Sequence, residues 1–557
     1  MRKTWWGLLV GALVLSLLAS VPERAVAANN CTDPYWAFTL RCQTIPNGVA
    51  PQPNLTEAPQ RPAEIKDFTR VFLMANPSIR SFDGTIPIMY VDKAVCTQQI
   101  CPDGATYGMP THSNDWLFTF TGGGSCSVEE SGTPGVFDDP SSCVRTYLRP
   151  TERGEMSTAN DPAMQNLAGI QSPDQRPGRN PVFAGFNRVR INKSSYDRYM
   201  GRATYGPNGP NPWRFSVTTQ NGRTYRFNLY QHGFLIIKEA LQMLGPGLTY
   251  TTWKENGPRE VIEETESLPP LSEADSVLFI GHSGAAHGLM HNSDHLQALL
   301  PNADVRSVID ANFVEGTENE AAFAPPAGGN AYTGDWNGIT TGDGAPFAYH
   351  GEMFYRGGIF TKQFAAWDAV TDDSCRLSHG PAGAWRCNDR YHVLFNHITT
   401  PFFVREDFRD PNQEHTDGHT GHDVIWGDYG NYPWCATNPC LPRLSLAQHK
   451  EHLYEQASRL ILDSGAASEL AMGFDPSMPG PAPFPAFSVW MPACSAHAGV
   501  MNNAQFRLST ISYQGVPTTL RGFVEQFVQG PRIGPPSWLI DGYVDPAGQQ
   551  MQTTACP

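Results

Sequence analysis

The stretch 276–292 constrains the fold of this chain more than any other, because it combines three local signals in a fixed order. The apolar run 277–280 (V-L-F-I) is typical of a short buried strand. The turn 281–285 (G-H-S-G-A) follows, and then a run of Ala, Leu, Met and His with helical spacing. A strand, a sharp turn carrying Ser283 and a helix together form the setting of a nucleophile elbow. The alternative interpretation is an ordinary strand–helix loop with a capping serine.

The first 27 residues predict a secretory signal peptide. Arg2 and Lys3 give a basic start, residues 5–19 form an apolar run, and residues 25–27 (A-V-A) form an A-x-A cleavage site. The apolar run is too short for a membrane anchor, and no later run is long enough to span a bilayer. We therefore expect a secreted protein without stable membrane insertion.

Cysteine usage agrees with secretion, since all 12 cysteines follow the predicted cleavage site. Pairing neighbours along the sequence gives six disulfides: Cys31–Cys42, Cys96–Cys101, Cys126–Cys143, Cys375–Cys387, Cys435–Cys440 and Cys494–Cys556. The sequence does not determine the connectivity. A zinc site is the alternative for Cys96 with Cys101 and for Cys435 with Cys440.

The composition limits the partners. The formal net charge is -15, and the predicted mature chain is more acidic still, because the leader is basic. Such a surface argues against binding nucleic acid or anionic membranes. The 47 Pro and 52 Gly indicate long irregular connections rather than disorder, because 11% of the residues are aromatic.

Hydrophobic patterns predict strands and helices that alternate through the middle of the chain. The strands are expected at 70–74, 86–91, 115–120, 187–192, 305–309, 400–405 and 487–491, and helices within 225–244 and 444–463. This alternation favours an α/β fold with a mainly parallel sheet and helices on both faces. We expect an extended arm at 28–67 and one catalytic domain at 68–557, with insertions at about 128–181 and 315–390.

A serine nucleophile needs a base, an acid that orients the base, and donors for the oxyanion. His497 follows the predicted strand 487–491 and lies near Cys494, which would anchor its loop. The predicted strand 400–405 is followed by three candidate acids, Glu406, Asp407 and Asp410, and the spacing does not choose among them. An ordinary surface histidine is the alternative for His497.

Three glycines, 122–124, follow the predicted strand 115–120 directly. Their backbone N–H groups could point at an oxyanion without obstruction by side chains, and the N–H of Gly284, next to Ser283, would be a second donor. A flexible turn is the alternative.

The order of these motifs resembles the pectin acetylesterase/Notum family of α/β-hydrolase-like serine esterases. The motifs are W-L-F-T-F-T-G-G-G-S-C, F-N-R-V-R-I, the elbow stretch, D-P-N-Q and C-S-A-H, over roughly residue 96 to the C-terminus. The resemblance implies that Ser283 is the nucleophile, Asp410 the acid and His497 the base. It implies oxyanion donors at Gly123, Gly124 and Gly284, and a structural role for Asp310.

The chain also departs from the family pattern. Ser283 is followed by Gly-Ala-Ala where the family has Ala-Gly-Gly, and Ser125 replaces a Trp. Ala498 stands where the family has a second Cys beside the catalytic His. The resemblance implies an ester substrate and no cofactor, with acetyl groups on a polysaccharide as the first expectation. Because Notum-like relatives act on a fatty acyl group, longer acyl esters or a polyester are the alternative. A monomer is expected, although the sequence leaves the oligomeric state open.

Two other classes of function stay open. His287, His291 and His295 lie four residues apart, and a second cluster of His and Asp spans 415–423, so a metal site or a metal-dependent hydrolase is conceivable. Buried packing histidines and a solvated loop are the plainer interpretations, and no metal is expected. An inactive carbohydrate-binding protein that retains the fold is the remaining alternative.

Overall fold

A computed structural model describes residues 62–126, 155–205, 229–312, 359–410 and 486–557, apart from short gaps. The gaps are 63, 102, 159–160, 177, 256–259, 389, 533–536 and 545–547, and short pieces are described at 129–130, 137–139, 143, 216–218, 224–226, 335–340, 346–348, 453 and 457. The predicted leader, most of the predicted arm and the cluster 415–423 lie outside the described residues. Of the predicted helix 444–463, only Leu453 and Ala457 are described, and both are helical and buried.

A ten-stranded sheet organises the described residues. Its strands are β1 Phe68–Phe72, β2 Ile88–Asp92, β3 Asp115–Phe120, β4 Met164–Gln165, β5 Asn187–Ile191, β6 Ser276–His282, β7 Asp304–Asp310, β8 Phe402–Arg405, β9 Phe487–Met491 and β10 Ser537–Ile540. The order across the sheet is β10-β9-β8-β7-β6-β3-β5-β2-β1-β4. The seven strands from β10 to β5 are parallel, and the β5–β2, β2–β1 and β1–β4 pairs are antiparallel. The expected mainly parallel sheet is thus present.

The helices cover both faces of this sheet. They are α1 Gly233–Leu244, α2 Gly284–Leu299, α3 Ile359–Trp367, α4 Asp373–Gly383, α5 Arg390–Asn396, α6 Asn503–Leu508 and α7 Leu520–Gln529. Successive β6 side chains point to opposite faces. Phe279 packs in the cluster that contains α1 and α2, whereas Ile280 packs in the cluster that contains α6 and α7. Because β6 is buried from both sides, its sequence is a continuous apolar run.

Smaller β-structures lie outside the main sheet. They are Leu248–Glu255 with Val261–Leu268, Ala203–Tyr205 with Leu229–Gln231, Ser216–Thr218 with Thr224–Arg226, Glu129–Glu130 with Phe137–Asp139, Asp335–Thr340 with Pro346–Ala348, and Thr510–Tyr513 with Val516–Thr519 and Gln552–Ala555. Single 3-10 turns occur at Gly169–Gln171, Phe183–Gly185, Leu271–Glu273, Ala384–Asn388 and Gly499–Met501.

The structure differs from the sequence-based expectation in particular elements. The helix expected within 225–244 begins only at Gly233, because Leu229–Gln231 pairs as a strand with Ala203–Tyr205. The region 315–390, expected to lack regular pattern, contains α3 and α4. Strand β4, from the predicted insertion 128–181, adds to the sheet edge. The sequence pattern also missed β10 and the hairpin of Leu248–Glu255 with Val261–Leu268.

Four of the six predicted disulfides are formed: Cys96–Cys101, Cys126–Cys143, Cys375–Cys387 and Cys494–Cys556. The other two predicted pairs lie outside the described residues. Disulfides persist in oxidising compartments, so these bonds fit an extracellular protein. Among the described helices, none is both long and apolar enough to cross a membrane.

Candidate active site

The turn after β6 holds Ser283 in an unusual backbone conformation. Its φ is 53° and its ψ is -128°, outside the regions that a non-glycine residue normally occupies. The Ser283 N–H donates to the carbonyl of Asp310 at the end of β7 (2.9 Å), and its own carbonyl accepts the N–H of Ala286 (2.9 Å) at the start of α2. Such strain persists where the surrounding structure enforces it, and it is frequent at functional sites. The turn therefore presents the half-buried Ser283 at the carboxyl edge of the sheet.

The glycine segment 122–124 packs directly over this turn. Gly122 donates its N–H to Nε2 of His282 (3.0 Å), and a Cβ on Gly122 would lie 2.7 Å from the Cβ of Ser283. A Cβ on Gly284 would overlap the carbonyl oxygen of Gly123. Both close contacts require glycine, at position 122 and at position 284. Within the described part of the chain, the N–H groups of Gly123, Gly124 and Gly284 donate no hydrogen bond, so they are available to an anion.

His497 and Asp410 are in direct contact. Nδ1 of His497 lies 2.8 Å from Oδ2 and 3.0 Å from Oδ1 of Asp410. The Asp410 side chain is fully buried, whereas 20% of the His497 side chain is exposed. Because an ionised carboxylate can only accept, this contact fixes the proton of neutral His497 on Nδ1 and leaves a lone pair on Nε2. The Ser283 hydroxyl has no hydrogen-bond partner among the described residues, His497 included.

A buried ionic network supports the loops that carry His497 and Asp410. The Arg405 guanidinium at the end of β8 donates to Asp310 (3.0 Å) and pairs with Asp407 (2.5 Å). Asp407 also accepts the N–H of Ala496 (2.8 Å), the residue before His497. Burial raises the pKa of Asp407 to about 6, although Arg405 opposes that shift. Glu406 and Asp407, the other candidate acids, thus form no contact with His497 in the described structure.

The acid loop and the histidine loop are joined through their backbones as well. The N–H of Phe408 donates to the carbonyl of Pro492, and the N–H of Arg409 donates to the carbonyl of Cys494. The Cys494–Cys556 disulfide ties the histidine loop to the C-terminal strand Gln552–Ala555. These connections hold His497 and Asp410 in a fixed relative position.

His282, the residue before Ser283, is neutral in this setting. Burial, together with the electrostatic influence of His497, Arg190 and Lys193, lowers the pKa of His282 to about 3. A neutral His282 keeps an Nε2 lone pair to accept the Gly122 N–H over the whole ordinary pH range. The histidine therefore holds the glycine segment in place.

Sequence reasoning missed the segment 193–199, which follows β5 at the same sheet edge. Three of its residues, Tyr196, Arg198 and Tyr199, have positive φ between 55° and 62°. Asp197 holds this conformation, because its carboxylate accepts the Ser195 hydroxyl (2.6 Å) and the Tyr199 N–H (3.1 Å). The position directly after a predicted strand was the signal that could have marked this segment, since the carboxyl ends of parallel strands share one edge.

A cavity of about 510 Å³ opens beside the elbow. Gly122 and His282 are part of its lining. The lining combines polar and apolar surface and includes four charged residues, Glu155, Asp161, Arg190 and Lys193. Lys193 pairs with Glu155 (2.6 Å), and burial raises the pKa of Asp161 to about 6. The size falls within the roughly 300–1,000 Å³ typical of small-molecule sites.

The histidines of α2 do not converge as a metal site would require. Nδ1 of His287 faces the guanidinium groups of Arg198 and Arg390, the latter at 3.0 Å. Burial and these two arginines lower the pKa of His287 far below its usual value, and a cation there would meet two positive charges. His295 instead donates from Nε2 to the carbonyl of Thr371 (3.1 Å). Of these histidines, His287 thus contacts arginines and His295 contacts a backbone carbonyl, so the two do not share a point at which a metal ion could bind.

No protein-family model and no curated protein matches this sequence. Among solved structures, two crystal forms of the Wnt deacylase Notum from Drosophila are similar to it. One has 19% sequence identity and a TM-score of 0.45, over 85% of this chain and 97% of the Notum chain. The other has 18% identity and a TM-score of 0.44, over 83% and 93% of the two chains. At these scores the likeness carries no argument, and function has to be derived from the contacts of this chain's own residues.

Proposed function

We propose that this chain is a secreted serine carboxylic-ester hydrolase of α/β-hydrolase-like architecture, with Ser283, His497 and Asp410 as its catalytic triad. The observation that carries the proposal is the 2.8 Å contact between His497 Nδ1 and Asp410 at the sheet edge that presents Ser283. A hydroxyl on a strained turn, an imidazole of fixed tautomer and unused backbone donors are the components of acyl transfer by serine.

In the proposed mechanism, Ser283 Oγ attacks the ester carbonyl carbon while His497 Nε2 takes the hydroxyl proton. Asp410 stabilises the resulting imidazolium, and the N–H groups of Gly123, Gly124 and Gly284 stabilise the oxyanion. The imidazolium returns its proton to the departing alcohol, which leaves an acyl-enzyme on Ser283. Water activated by His497 then attacks the acyl-enzyme and releases the carboxylic acid. No step requires a cofactor.

We further propose that the substrate is a polysaccharide carrying short acyl groups, acetyl above all. The cavity beside Gly122 and His282 supports this choice, because its charged and amide side chains can hydrogen-bond to hydroxyl groups. A lipid acyl chain or a polyester would contact only the apolar part of this lining and would leave the polar groups without partners, which costs free energy. Longer acyl esters are therefore the second candidate.

The test is hydrolysis of p-nitrophenyl esters of increasing acyl length, together with release of acetate from acetylated polysaccharides. We expect the highest kcat/KM with acetyl esters, acetate release from a polymer, and loss of both activities in Ser283→Ala. Unchanged activity in Ser283→Ala would refute the mechanism, whereas a preference for long acyl chains would refute only the substrate. Inactivity of the wild type toward every ester, combined with binding to polysaccharides, would favour the inactive carbohydrate-binding alternative.

Secretion is part of the proposal. Residues 1–27 would be removed as a signal peptide, which is consistent with the disulfides Cys96–Cys101 and Cys494–Cys556 in the mature chain. Sequencing the N-terminus of the secreted protein tests this, and the expected first residue is Ala28.

A further inference from the structure

A further cluster of histidines consists of His379 on α4, His392 on α5 and His397 directly after α5. These elements contribute no residue to the Ser283, His497 and Asp410 arrangement. Nε2 of His392 lies 2.6 Å from Nε2 of His379 and 3.3 Å from Nε2 of His397. One nitrogen of each ring lies within 4.8 Å of those of the other two. His392 is 8% exposed, whereas His379 and His397 are half-buried, so solvent can reach the point at which the rings meet.

The neighbouring Cys375 is not available as a fourth ligand in the oxidised protein, because it forms a disulfide with Cys387. The disulfide instead ties α4, which carries His379, to the 3-10 turn Ala384–Asn388 that leads into α5. The cluster is thus assembled on a cross-linked segment.

The contacts of His397 fix the position of the proton on its own ring. Ser374 Oγ donates to Oδ1 of Asp372 (2.6 Å), and the same oxygen lies 3.2 Å from Nδ1 of His397. Because the Ser374 hydroxyl proton is already used, Ser374 accepts from Nδ1–H of His397. The lone pair of His397 is therefore on Nε2, the nitrogen that faces His392. A hydrogen bond of this kind to the outer nitrogen orients histidines that bind metals.

Hydrogen bonding alone does not account for three converging Nε2 atoms. A neutral imidazole nitrogen carries either one proton or one lone pair, so Nε2 of His392 can form a good hydrogen bond with one neighbour only. With His392 protonated on Nδ1, a metal ion accepts one lone pair from each of the three rings, and the 3.4 Å contact between Asn396 Nδ2 and Nδ1 of His392 is then given up. Two nitrogens at 2.0–2.1 Å from a tetrahedral zinc ion lie about 3.3 Å apart, which is the separation of His392 and His397. His379 and His392 are closer, at 2.6 Å, so binding an ion requires these two rings to move apart.

We propose that His379, His392 and His397 bind a divalent late transition-metal ion, with Zn²⁺ as the principal one. Neutral imidazoles suit Zn²⁺, Cu²⁺ and Ni²⁺, and three such ligands leave a fourth position for water. The ion joins α4 to α5 and stabilises the segment between Asp373 and His397. The site is independent of the proposed esterase chemistry.

The primary experiment uses the secreted, disulfide-bonded protein, freed of metal with a chelator and dialysed against Zn²⁺. We expect one tightly held zinc ion per chain and a higher Tm in the zinc-loaded form, both reversed by chelator. Folded wild-type protein that retains no zinc after dialysis would overturn the proposal, whatever the variants do.

Variants of these histidines test whether they bind the zinc ion. In His379→Gln/His397→Gln we expect zinc affinity to fall by more than the roughly 10- to 100-fold loss that follows removal of a hydrogen bond to a metal ligand. The zinc-dependent rise in Tm should disappear as well. His112→Gln, which removes an exposed histidine elsewhere, should bind zinc as the wild type does.

Both half-buried positions tolerate glutamine by size, and comparing the metal-free Tm values of variant and wild type shows whether the variant is folded. A folded double variant that keeps its zinc would place the metal on other residues and overturn the assignment. If the double variant does not fold, the single variant His397→Gln provides the same comparison.

Discussion

The carbonyl oxygen of Gly123 lies against the Cα atom of Gly284, so close that any side chain at position 284 would overlap it. This contact gives a physical reason for the glycine that directly follows Ser283. In this chain the glycine segment sits too near the elbow for a Cβ atom. Loop and elbow therefore form one closely fitted unit.

Gly284→Ala should force the glycine segment away from the elbow. In the proposed mechanism this displaces oxyanion donors, and the loss of one such donor costs about 10²- to 10³-fold in kcat. We expect a decrease of that size with little change in KM, measured with an acetyl ester. Gly185→Ala is the matched control, because its Cβ would be 3.5 Å from Thr97, an ordinary contact. Wild-type kcat in Gly284→Ala would show that the close contact is irrelevant to activity.

Asp410→Asn tests the proposed catalytic acid, whereas Asp407→Asn tests a residue that only supports the loop carrying it. An amide at 410 can donate to Nδ1 of His497 and so favour the tautomer that cannot accept the serine proton. We expect kcat to fall by roughly 10³- to 10⁴-fold at nearly unchanged Tm. Asp407→Asn removes the negative charge that pairs with buried Arg405 and should reduce the free energy of unfolding by up to about 3–5 kcal/mol. Its kcat should fall far less, and equal losses in the two folded variants would contradict the assignment of the acid.

His282 should act by positioning the glycine segment. His282→Leu leaves the Gly122 N–H without its acceptor, whereas the carbonyl oxygen of glutamine in His282→Gln can replace Nε2. For the leucine variant we expect a lower kcat with little change in KM. The decrease in kcat should be smaller than the 10²- to 10³-fold that loss of a whole oxyanion donor causes. The glutamine variant should recover part of the rate. Equal kcat values in the two variants would exclude the hydrogen bond as the cause.

Protonation of His232 should lower the stability of the folded state in acid. Its Nδ1 accepts the Arg80 N–H (3.2 Å), Nε2 contacts the Thr204 hydroxyl (2.6 Å), and burial, with the nearby Arg80 charge, lowers its pKa to about 4. Because the unfolded chain binds a proton near pH 6.5 and the folded chain only near pH 4, His232 destabilises the folded state as the pH falls through that interval.

The test compares wild type with His232→Gln, which keeps one donor and one acceptor but does not titrate. Between pH 7 and pH 4.5 the wild type should lose on the order of 2 kcal/mol more unfolding free energy than the variant. Denaturant unfolding at both pH values measures this difference. Parallel losses in the two proteins would mean that His232 does not titrate differently on unfolding.

Much of the local structure followed from the sequence. Strand β3 was predicted with its observed bounds, and β6 and α2 follow from an apolar run and helical spacing on either side of Ser283. The described disulfides, such as Cys375–Cys387, agree with pairing of neighbouring cysteines, although the sequence left the connectivity open. The hairpin of Leu248–Glu255 with Val261–Leu268 was missed, since the partly buried Glu264 and Glu266 occupy positions at which an alternating strand would carry apolar residues.

The amino-acid sequence by itself determined the elbow, the loops that follow strands and the order of the candidate residues, because each is encoded within a few neighbouring positions. The spacing left Glu406, Asp407 and Asp410 open and the resemblance selected Asp410, but only the tertiary structure brings that side chain into contact with His497, 87 residues away. The same is true of the segment 193–199 beside Ser283 and of the meeting of His379, His392 and His397. These contacts depend on the order of the parallel strands and on helix packing, in which residues distant along the chain are brought together by burial of apolar surface.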